Sequence, residues 1–242
     1  MRLPIILTSV LFLALAACQK AETPESVEVK DAVAEPVVAV REEPAAESSR
    51  FDIYAKFRLT ADLDHLSDGQ RQMIPLLIQA SQIMDELFWQ QAYGDPKSLL
   101  SGIDDPKKRH FAQMNYGPWD RLDANKPFVE SYGPKPPGAR FYPEDMTKEE
   151  FEAWDQEGKD GEYSFVRRSD DGGLELLPYH VDFAETLGRA AALLREAAEL
   201  SEDPQFAHYL KLRADALLTD YFQPSDMAWL DIKNNTIELV IG

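Results

Sequence analysis

The chain has 242 residues and carries 43 Asp and Glu against 25 Lys and Arg, which gives a formal net charge of −18 at pH 7. A surface this acidic repels phosphates, which argues against nucleic acid as a partner. The hydrophobic fraction of 44% is enough for a sizeable core. The length allows one or two domains. A single Cys leaves no internal disulfide framework.

Residues 1–17 have the features of a bacterial lipoprotein signal peptide. Arg2 gives a positive start, and the apolar stretch that follows is too short to span a bilayer in the usual way. Leu15-Ala16-Ala17-Cys18 resembles a lipobox. The resemblance implies cleavage before Cys18 and attachment of lipid, including palmitate, to Cys18. Gln19 at the next position implies the outer membrane, with the protein facing the periplasm. An ordinary secretory signal with a chance Cys is the alternative.

Residues 18–50 are predicted to form a disordered acidic tether. The segment is rich in Glu, Ala, Val and Pro, has few aromatics and shows no helical apolar face, so it cannot bury enough surface to fold. Repulsion between its glutamates favours an extended chain. An acidic binding tail is the alternative. The folded region is predicted to begin at residue 51.

A long helix is predicted after Ser67. Gln70, three residues later, completes a capping-box pattern, and apolar residues then recur at helical spacing as far as Phe88. Gly94 is placed to end the helix. Pro75 removes one backbone hydrogen bond, which predicts a kink or a later start.

Three shorter helices are predicted from their first residues. The steps Asp95-Pro96 and Asp105-Pro106 each place a capping carboxylate before a proline at the first helical position. The second of these helices should end near Asn115. Thr147, with Glu150 three residues later, is typical of the start of another helix.

The C-terminal half is predicted to contain a hairpin and two antiparallel helices. Strand-like residues flank Asp170-Asp171-Gly172-Gly173 within the segment 161–179, a β-hairpin signal. An apolar helical face runs from Phe183 to Ala197, and Asp203-Pro204 begins a second helix a few residues later. The short connection favours antiparallel packing.

The stretch 115–154 is the least regular part of the sequence. Its glycines and prolines forbid a long helix or a central strand. Its aromatic residues supply apolar area to bury, so we expect an ordered loop. The loop is predicted either to line a cleft or to serve only as a rigid connector. The aromatic residues concerned are Trp119, Phe128, Tyr132, Phe141 and Tyr142.

The same stretch contains three motifs in a fixed order: Asn115-Tyr116, then Gly117 and Phe128, then Phe141-x-Pro143-x-x-Met146-x-Lys148-Glu149-x-Phe151-Glu152. With these motifs the stretch resembles the N-terminal part of the dipeptidyl-peptidase III family of zinc metallopeptidases, especially its bacterial lipoprotein branch. The resemblance extends from residue 51 to residue 242.

The C-terminal segments 225–233 and 237–242 look like that family's entry into a β-barrel. Within them, 228–232 and 236–241 are predicted to be paired strands. The expected fold is therefore α+β and mainly α-helical. It would be a zinc-free N-terminal lobe portion over residues 51–242, with a β-hairpin and a C-terminal strand pair leading into a truncated β-barrel.

The resemblance implies a hydrolase that removes dipeptides from peptide substrates across a wide cleft. This chain would shape the peptide-binding cleft rather than break bonds. By motif position the candidate substrate-binding residues are Asn115, Tyr116, Trp119, Phe141 and Tyr142. For Tyr116 and Trp119 the alternative is simple burial against the helix that follows Ser67.

No catalytic residue and no metal ligand are predicted in this chain. Its four histidines, His65, His110, His180 and His208, show no H-E-x-x-H spacing, which is the pattern that places two imidazoles and a base on one helix. Zinc is expected in a full-length family member, in a C-terminal catalytic half that this chain lacks. The chain is therefore predicted to be an N-terminal fragment or a truncated product, inactive alone.

Two other functions are compatible with the sequence. One is a non-catalytic envelope lipoprotein that binds peptides or proteins through the aromatic stretch. The other is a purely structural envelope lipoprotein, which is the least favoured because long aromatic loops are poor spacers.

Overall fold

The structure, a computed structural model, describes residues 49–242. The predicted signal peptide, the predicted lipidation site at Cys18 and almost all of the predicted tether lie outside the described residues. The last tether residue, Arg50, belongs to a short 3-10 turn, Arg50–Asp52, and pairs with the buried carboxylate of Asp120. This ion pair places Arg50 in the folded region, one residue earlier than predicted.

Helix α1 runs from Asp68 to Ala92 and forms the longest element of the described chain. The capping box is confirmed, because the Gln70 N–H donates to Ser67 Oγ at 3.1 Å and the Ser67 N–H donates to Gln70 Oε1 at 3.0 Å. The helix continues through Pro75. It ends before Gly94, whose φ of 122° is a conformation that L side chains rarely adopt.

Helices α2 (Pro96–Leu100) and α3 (Pro106–Asn115) follow and confirm the two Asp-Pro predictions. The carboxylates of Asp95 and Asp105 each accept a hydrogen bond from a backbone N–H in the first turn. Tyr116 ends α3 in the left-handed region, with φ 50°. The chain direction therefore changes sharply where the central stretch begins.

The central stretch contains little regular structure, as expected. A minimal antiparallel pair, β1 (Trp119–Asp120) with β2 (Lys126–Pro127), was missed by the sequence analysis. Helix α4, Lys148–Ala153, begins at the predicted cap Thr147.

The predicted hairpin is confirmed as β3 (Ser164–Arg168) paired with β4 (Leu174–Pro178). Phe165 lies opposite Leu177 and Val166 lies opposite Leu176. A single-turn helix, α5 (Tyr179–Asp182), follows the hairpin directly.

Two helices build the main core against α1. Helix α6 spans Ala184–Leu200, and α7 spans Pro204–Leu217 from the predicted cap Asp203. Helix α6 packs between α1 and α7, and it meets them with small and aliphatic side chains. A smaller core around Trp89 joins the C-terminal end of α1 to α2 and α3.

The predicted C-terminal strand pair is wrong. Residues 228–231 belong to helix α8, Gln223–Asp231. Ala228, Trp229 and Ile232 pack on the main core, and their spacing is that of a helix face. The segment 236–241 has no strand partner within residues 49–242, and no closed barrel occurs there.

The fold class is confirmed as α+β and mainly helical, with two small antiparallel strand pairs. Among residues 49–242 no helix combines the length and apolar character needed to cross a bilayer.

Candidate functional site

A groove with aromatic walls opens beside α1, the β3–β4 hairpin and the ends of α6 and α7. Its volume is about 420 Å³, within the range of about 300–1,000 Å³ that is typical of ligand pockets. We call it the aromatic groove. Its lining residues are Met84, Leu87, Phe88, Gln91, Phe141, Glu162, Tyr163, Tyr179, Phe183, Leu187, Leu217, Asp220, Phe222 and Gly242.

One buried ring of the hairpin, that of Phe165, packs against three of the aromatic residues that line the groove. Phe165 is 1% exposed. Its ring centroid lies 5.8 Å from that of Phe141, 4.8 Å from that of Tyr179 and 5.6 Å from that of Phe183. Because the supporting ring is fully packed, the wall is formed before any ligand arrives.

Backbone hydrogen bonds hold Phe141 against the hairpin. The Val166 N–H donates to the Phe141 carbonyl at 3.0 Å, and the Arg167 guanidinium donates to the Arg140 carbonyl at 2.9 Å. The Phe141 N–H donates to the Gly138 carbonyl at 2.9 Å. The central stretch is therefore fixed at the residue that enters the groove.

Gly138 permits the turn that precedes Phe141. Its φ is +72°, and a Cβ at this position would lie 2.6 Å from the ring of Tyr142. Only glycine fits here without moving that ring. Tyr142 packs edge-on against Phe151, with ring centroids 6.0 Å apart, and does not line the groove.

Polar groups lie at one end of the aromatic groove. Asp220 accepts hydrogen bonds from the backbone N–H of His180 at 3.2 Å, and its Oδ2 lies 2.7 Å from His180 Nδ1. This contact ties α5 to the connection between α7 and α8. Burial raises the pKa of Tyr179 to about 12, so its phenol is neutral at physiological pH. Glu162 adds a second carboxylate to the rim.

Asn115 is buried, and both ends of its amide are used within the protein. Its Nδ2 donates to the Phe111 carbonyl at 2.9 Å, and its Oδ1 accepts from the Arg121 N–H at 2.9 Å. The Asn115 carbonyl accepts from Arg121 Nε at 3.0 Å. The structure therefore places this side chain where it connects α3 to β1 rather than at a surface.

Tyr116 and Trp119 lie in a cluster of rings at the end of α1. Tyr116 donates to Asp85 and packs edge-on against Phe88, with ring centroids 4.7 Å apart. The Trp119 indole donates to the Gly133 carbonyl at 2.9 Å. Tyr116 therefore contacts α1 itself, and Trp119 packs on Tyr93, the residue that ends this helix.

Within this cluster, burial raises the pKa of Tyr132 to about 12, and its hydroxyl lies 2.6 Å from that of Tyr93. The ring of Trp119 lies beside both tyrosines. These contacts anchor the middle of the central stretch to α1.

The five predicted substrate-binding residues do not form one surface. Of them, Phe141 alone lines the aromatic groove, and Tyr116 is separated from it by the ring of Phe88. Whether any of the five contacts a peptide stays a prediction. The rings of two other groove residues, Tyr163 and Phe222, are stacked with their centroids 4.8 Å apart. These two residues come from distant parts of the chain, so no local sequence pattern predicts their contact.

The residues present do not fit a zinc ion. Within residues 49–242 no group of three or more His, Cys, Asp or Glu side chains is arranged to hold a metal.

Arg168 joins the hairpin to the central stretch by two ion pairs. Its guanidinium contacts Asp145 at 3.0 Å and donates to Glu150 Oε2 at 2.9 Å. These hydrogen bonds lower the pKa of both carboxyl groups. A carboxyl group whose pKa is lower in the folded state stabilises the protein above its unfolded pKa, and this contribution is lost as pH falls through the folded pKa.

Replacing Arg168 by Gln should raise the pKa of Glu150 and Asp145 toward their ordinary values. The stability difference between wild type and variant should be largest near neutral pH and should shrink as the pH falls through the lowered pKa of the two carboxyl groups in the folded protein. Carboxyl carbon NMR titration measures the pKa, and melting curves at several pH values measure the stability. Arg189→Gln, which removes an exposed pair with Glu86, is the control. An unchanged Glu150 titration would contradict the assignment.

Two solved structures share this fold. A structure of DPP III from Caldithrix abyssi matches with a TM-score of 0.69 and 39% identity over 74% of this chain and 36% of that chain. A structure of dipeptidyl-peptidase III from Corallococcus sp. strain EGB matches with a TM-score of 0.69 and 33% identity over 75% of this chain and 36% of that chain.

A curated relative is similar at lower identity. Nudix hydrolase 3 from Arabidopsis thaliana is 24% identical over an alignment 251 residues long, which covers 78% of this chain and 32% of that protein. No protein-family model matches this chain. The chain spans about a third of the length of each of these relatives.

The described fold is thus a peptidase-like fold, shared with part of two dipeptidyl-peptidase III structures. The expected resemblance to dipeptidyl-peptidase III is confirmed at the level of the fold. Zinc dependence, lipid attachment and the N-terminal position stay predictions.

Proposed function

We propose that this chain forms the zinc-free, N-terminal portion of a dipeptidyl-peptidase III-like peptidase, in which the aromatic groove receives an apolar side chain of a peptide substrate. The observation that carries the proposal is the position of Phe141. A motif residue of the expected family is fixed by backbone hydrogen bonds at the wall of a preformed apolar groove. The similarity to two dipeptidyl-peptidase III structures supports it.

The chemistry of the groove suits binding better than bond cleavage. Aromatic and aliphatic walls offer area for one side chain of a peptide, because aromatic rings bury large apolar surfaces. The neutral phenol of Tyr179 and the carboxylates at the rim offer hydrogen-bond partners for the peptide backbone. Zinc chemistry is expected to come from another part of a full-length protein.

A peptide titration tests this function. The tetrapeptide Ala-Phe-Ala-Ala should bind the full chain more tightly than Ala-Gly-Ala-Ala, measured by calorimetry. Phe141→Ala should weaken binding of the phenylalanine peptide about tenfold, since an aromatic contact of this kind is worth ~1.5 kcal/mol. Phe88→Ala, which changes a different wall of the groove, should also weaken binding of the phenylalanine peptide.

Val240→Ala serves as the matched control, because Val240 is 76% exposed and does not line the groove. Melting curves of each variant establish that it is folded. Equal affinity for both peptides, or full affinity in a folded Phe141→Ala variant, would contradict the proposal. Binding that is insensitive to both groove variants would favour a peptide site elsewhere on the chain.

We also propose that the protein is held at the outer membrane by lipid on Cys18 and faces the periplasm. The lipobox-like sequence Leu15-Ala16-Ala17-Cys18 supports this proposal. Metabolic labelling with a fatty acid should mark the wild-type chain and should fail to mark Cys18→Ser. Equal labelling of both would contradict lipid attachment at this position.

A further inference from the structure

Phe141 also lines a second concavity. It is formed by the connection between β1 and β2 and by the proline-rich segment 134–139, and its volume is about 660 Å³. We call it the lysine groove, because its ionisable lining residues among the described part of the chain are Lys126 and Lys135. Four of its lining residues are prolines, which have no backbone N–H to donate.

Both ionisable side chains that line the lysine groove are cationic, on a chain with a formal net charge of −18. Lys126 has a partner, since its ammonium lies 3.0 Å from the Asp123 carboxylate. Lys135 is half-buried and makes no salt bridge with any residue in the range 49–242. Burial, followed by the positive charge of Arg121, lowers the pKa of Lys135. Partial burial removes some of the water around an ammonium group, and a bound anion would offset that loss.

Arg121 adds a further cation, close enough for its charge to act on Lys135. Its guanidinium lies over the ring of Phe88, 5.0 Å from the ring centroid, and over Tyr116 at 5.5 Å. Its Nε donates to the Asn115 carbonyl rather than to a carboxylate. Arg121 is therefore held in place by rings and a carbonyl, and its charge is not neutralised by an acidic side chain of the described region.

We infer that the lysine groove is an anion site that receives the carboxylate of a peptide whose apolar side chain lies in the aromatic groove. The inference rests on the proposed function, and its geometric basis is Phe141, which lines both grooves. A peptide that passes over this ring places a side chain on one side and its terminal carboxylate near Lys135 on the other. An ammonium group and a carboxylate form a charge-assisted hydrogen bond.

The experiment compares free-acid and amidated peptides on the full chain. Ala-Phe-Ala-Ala with a free carboxylate should bind about tenfold more tightly than the same peptide with a C-terminal amide, as expected for one charge-assisted contact. Lys135→Gln should remove that difference. Lys148→Gln, which makes the same change in net charge on exposed α4, should keep it. Ala-Phe-Ala-Asp with a C-terminal amide carries its carboxylate on a side chain. It should bind more tightly than amidated Ala-Phe-Ala-Ala only if the site also accepts a side-chain carboxylate.

A second measurement uses succinate, which has no aromatic group. When the lysine amines carry carbon-13 methyl labels, the Lys135 signal is identified as the one that is missing in Lys135→Gln. Succinate should raise the pKa of Lys135, measured from that signal. Peptide binding with equal affinity for acid and amide, and no response to succinate, would overturn the anion site while leaving the aromatic groove intact. A succinate response without any peptide binding would overturn the proposed function and keep the anion site.

Discussion

Replacing Leu194 with Ala is expected to lower the free energy of unfolding by about 2.7–5 kcal/mol, the range measured for buried Leu→Ala changes. Leu194 is 0% exposed in the middle of α6. Helix α6 packs on α1 on one side and on α7 on the other. A cavity here removes contacts with both neighbours, and the small side chains around it, such as Ala190 and Ala197, cannot move in to fill it.

The matched control is Leu230→Ala in α8. The same atoms are removed from another helix, but Leu230 is 53% exposed, so the change should stay within about 0.5 kcal/mol. Urea denaturation followed by circular dichroism measures both variants. Equal losses in the two would mean that α6 does not form the centre of the core.

The second large effect is expected at Asn115. Leu has a similar branched shape and can enter the same space, but it cannot replace the hydrogen bonds to Phe111 and Arg121. Because a polar group left unpaired in the interior costs about 1–3 kcal/mol, Asn115→Leu should destabilise the protein by about 2–4 kcal/mol. Hydrogen exchange at the Arg121 amide should become faster, since that N–H loses its acceptor.

Gln113→Leu is the control for this change. Gln113 lies on the exposed side of the same helix, α3, so the replacement should have an effect within about 0.5 kcal/mol. An Asn115→Leu variant as stable as wild type, with unchanged exchange at Arg121, would contradict the connecting role of Asn115.

Helix starts were predictable because their chemistry is local. Ser67, Asp95, Asp105, Thr147 and Asp203 all cap helices in the structure as expected. The capping side-chain oxygen accepts a hydrogen bond from a backbone N–H no more than three residues away. The short sequence around the cap therefore suffices to predict where the helix begins. The hairpin around Gly172 was predictable for the same reason, since Gly172 adopts φ 87° at its turn.

The C-terminal region shows where local patterns fail. The run Ala228–Ile232 is short and apolar, and periodicity alone does not distinguish a buried strand from one helix turn in a run of this length. Pro224 at the first turn of α8 favours a helix, and Asp226 pairs with Arg213 from α7. Pro224 is thus a local helix signal that the strand prediction overlooked, whereas the contact with Arg213 could not be inferred from the segment itself.

The candidate site was predictable in part. The central stretch was correctly expected to be ordered, and Phe141 lines the aromatic groove. The partners of Phe141 come from α1, the hairpin and the connection after α7, which are far apart in the sequence. The packing of α1 against α6 and of α6 against α7 brings Phe88 into one groove with Phe183 and Phe222. Burial of Asn115 likewise depends on Phe111 and Arg121, which no motif indicates.

The aromatic groove is proposed to hold the side chain of a bound peptide. The most direct measurement is photo-cross-linking with Ala-Phe-Ala-Ala in which a benzoyl group is attached to the phenylalanine, followed by mass spectrometry of the adduct. Cross-links should fall on groove residues such as Phe141, Tyr163 and Phe222, and unlabelled peptide should suppress them. Suppressible cross-links confined to α2, α3 or the exposed face of α8 would contradict the account.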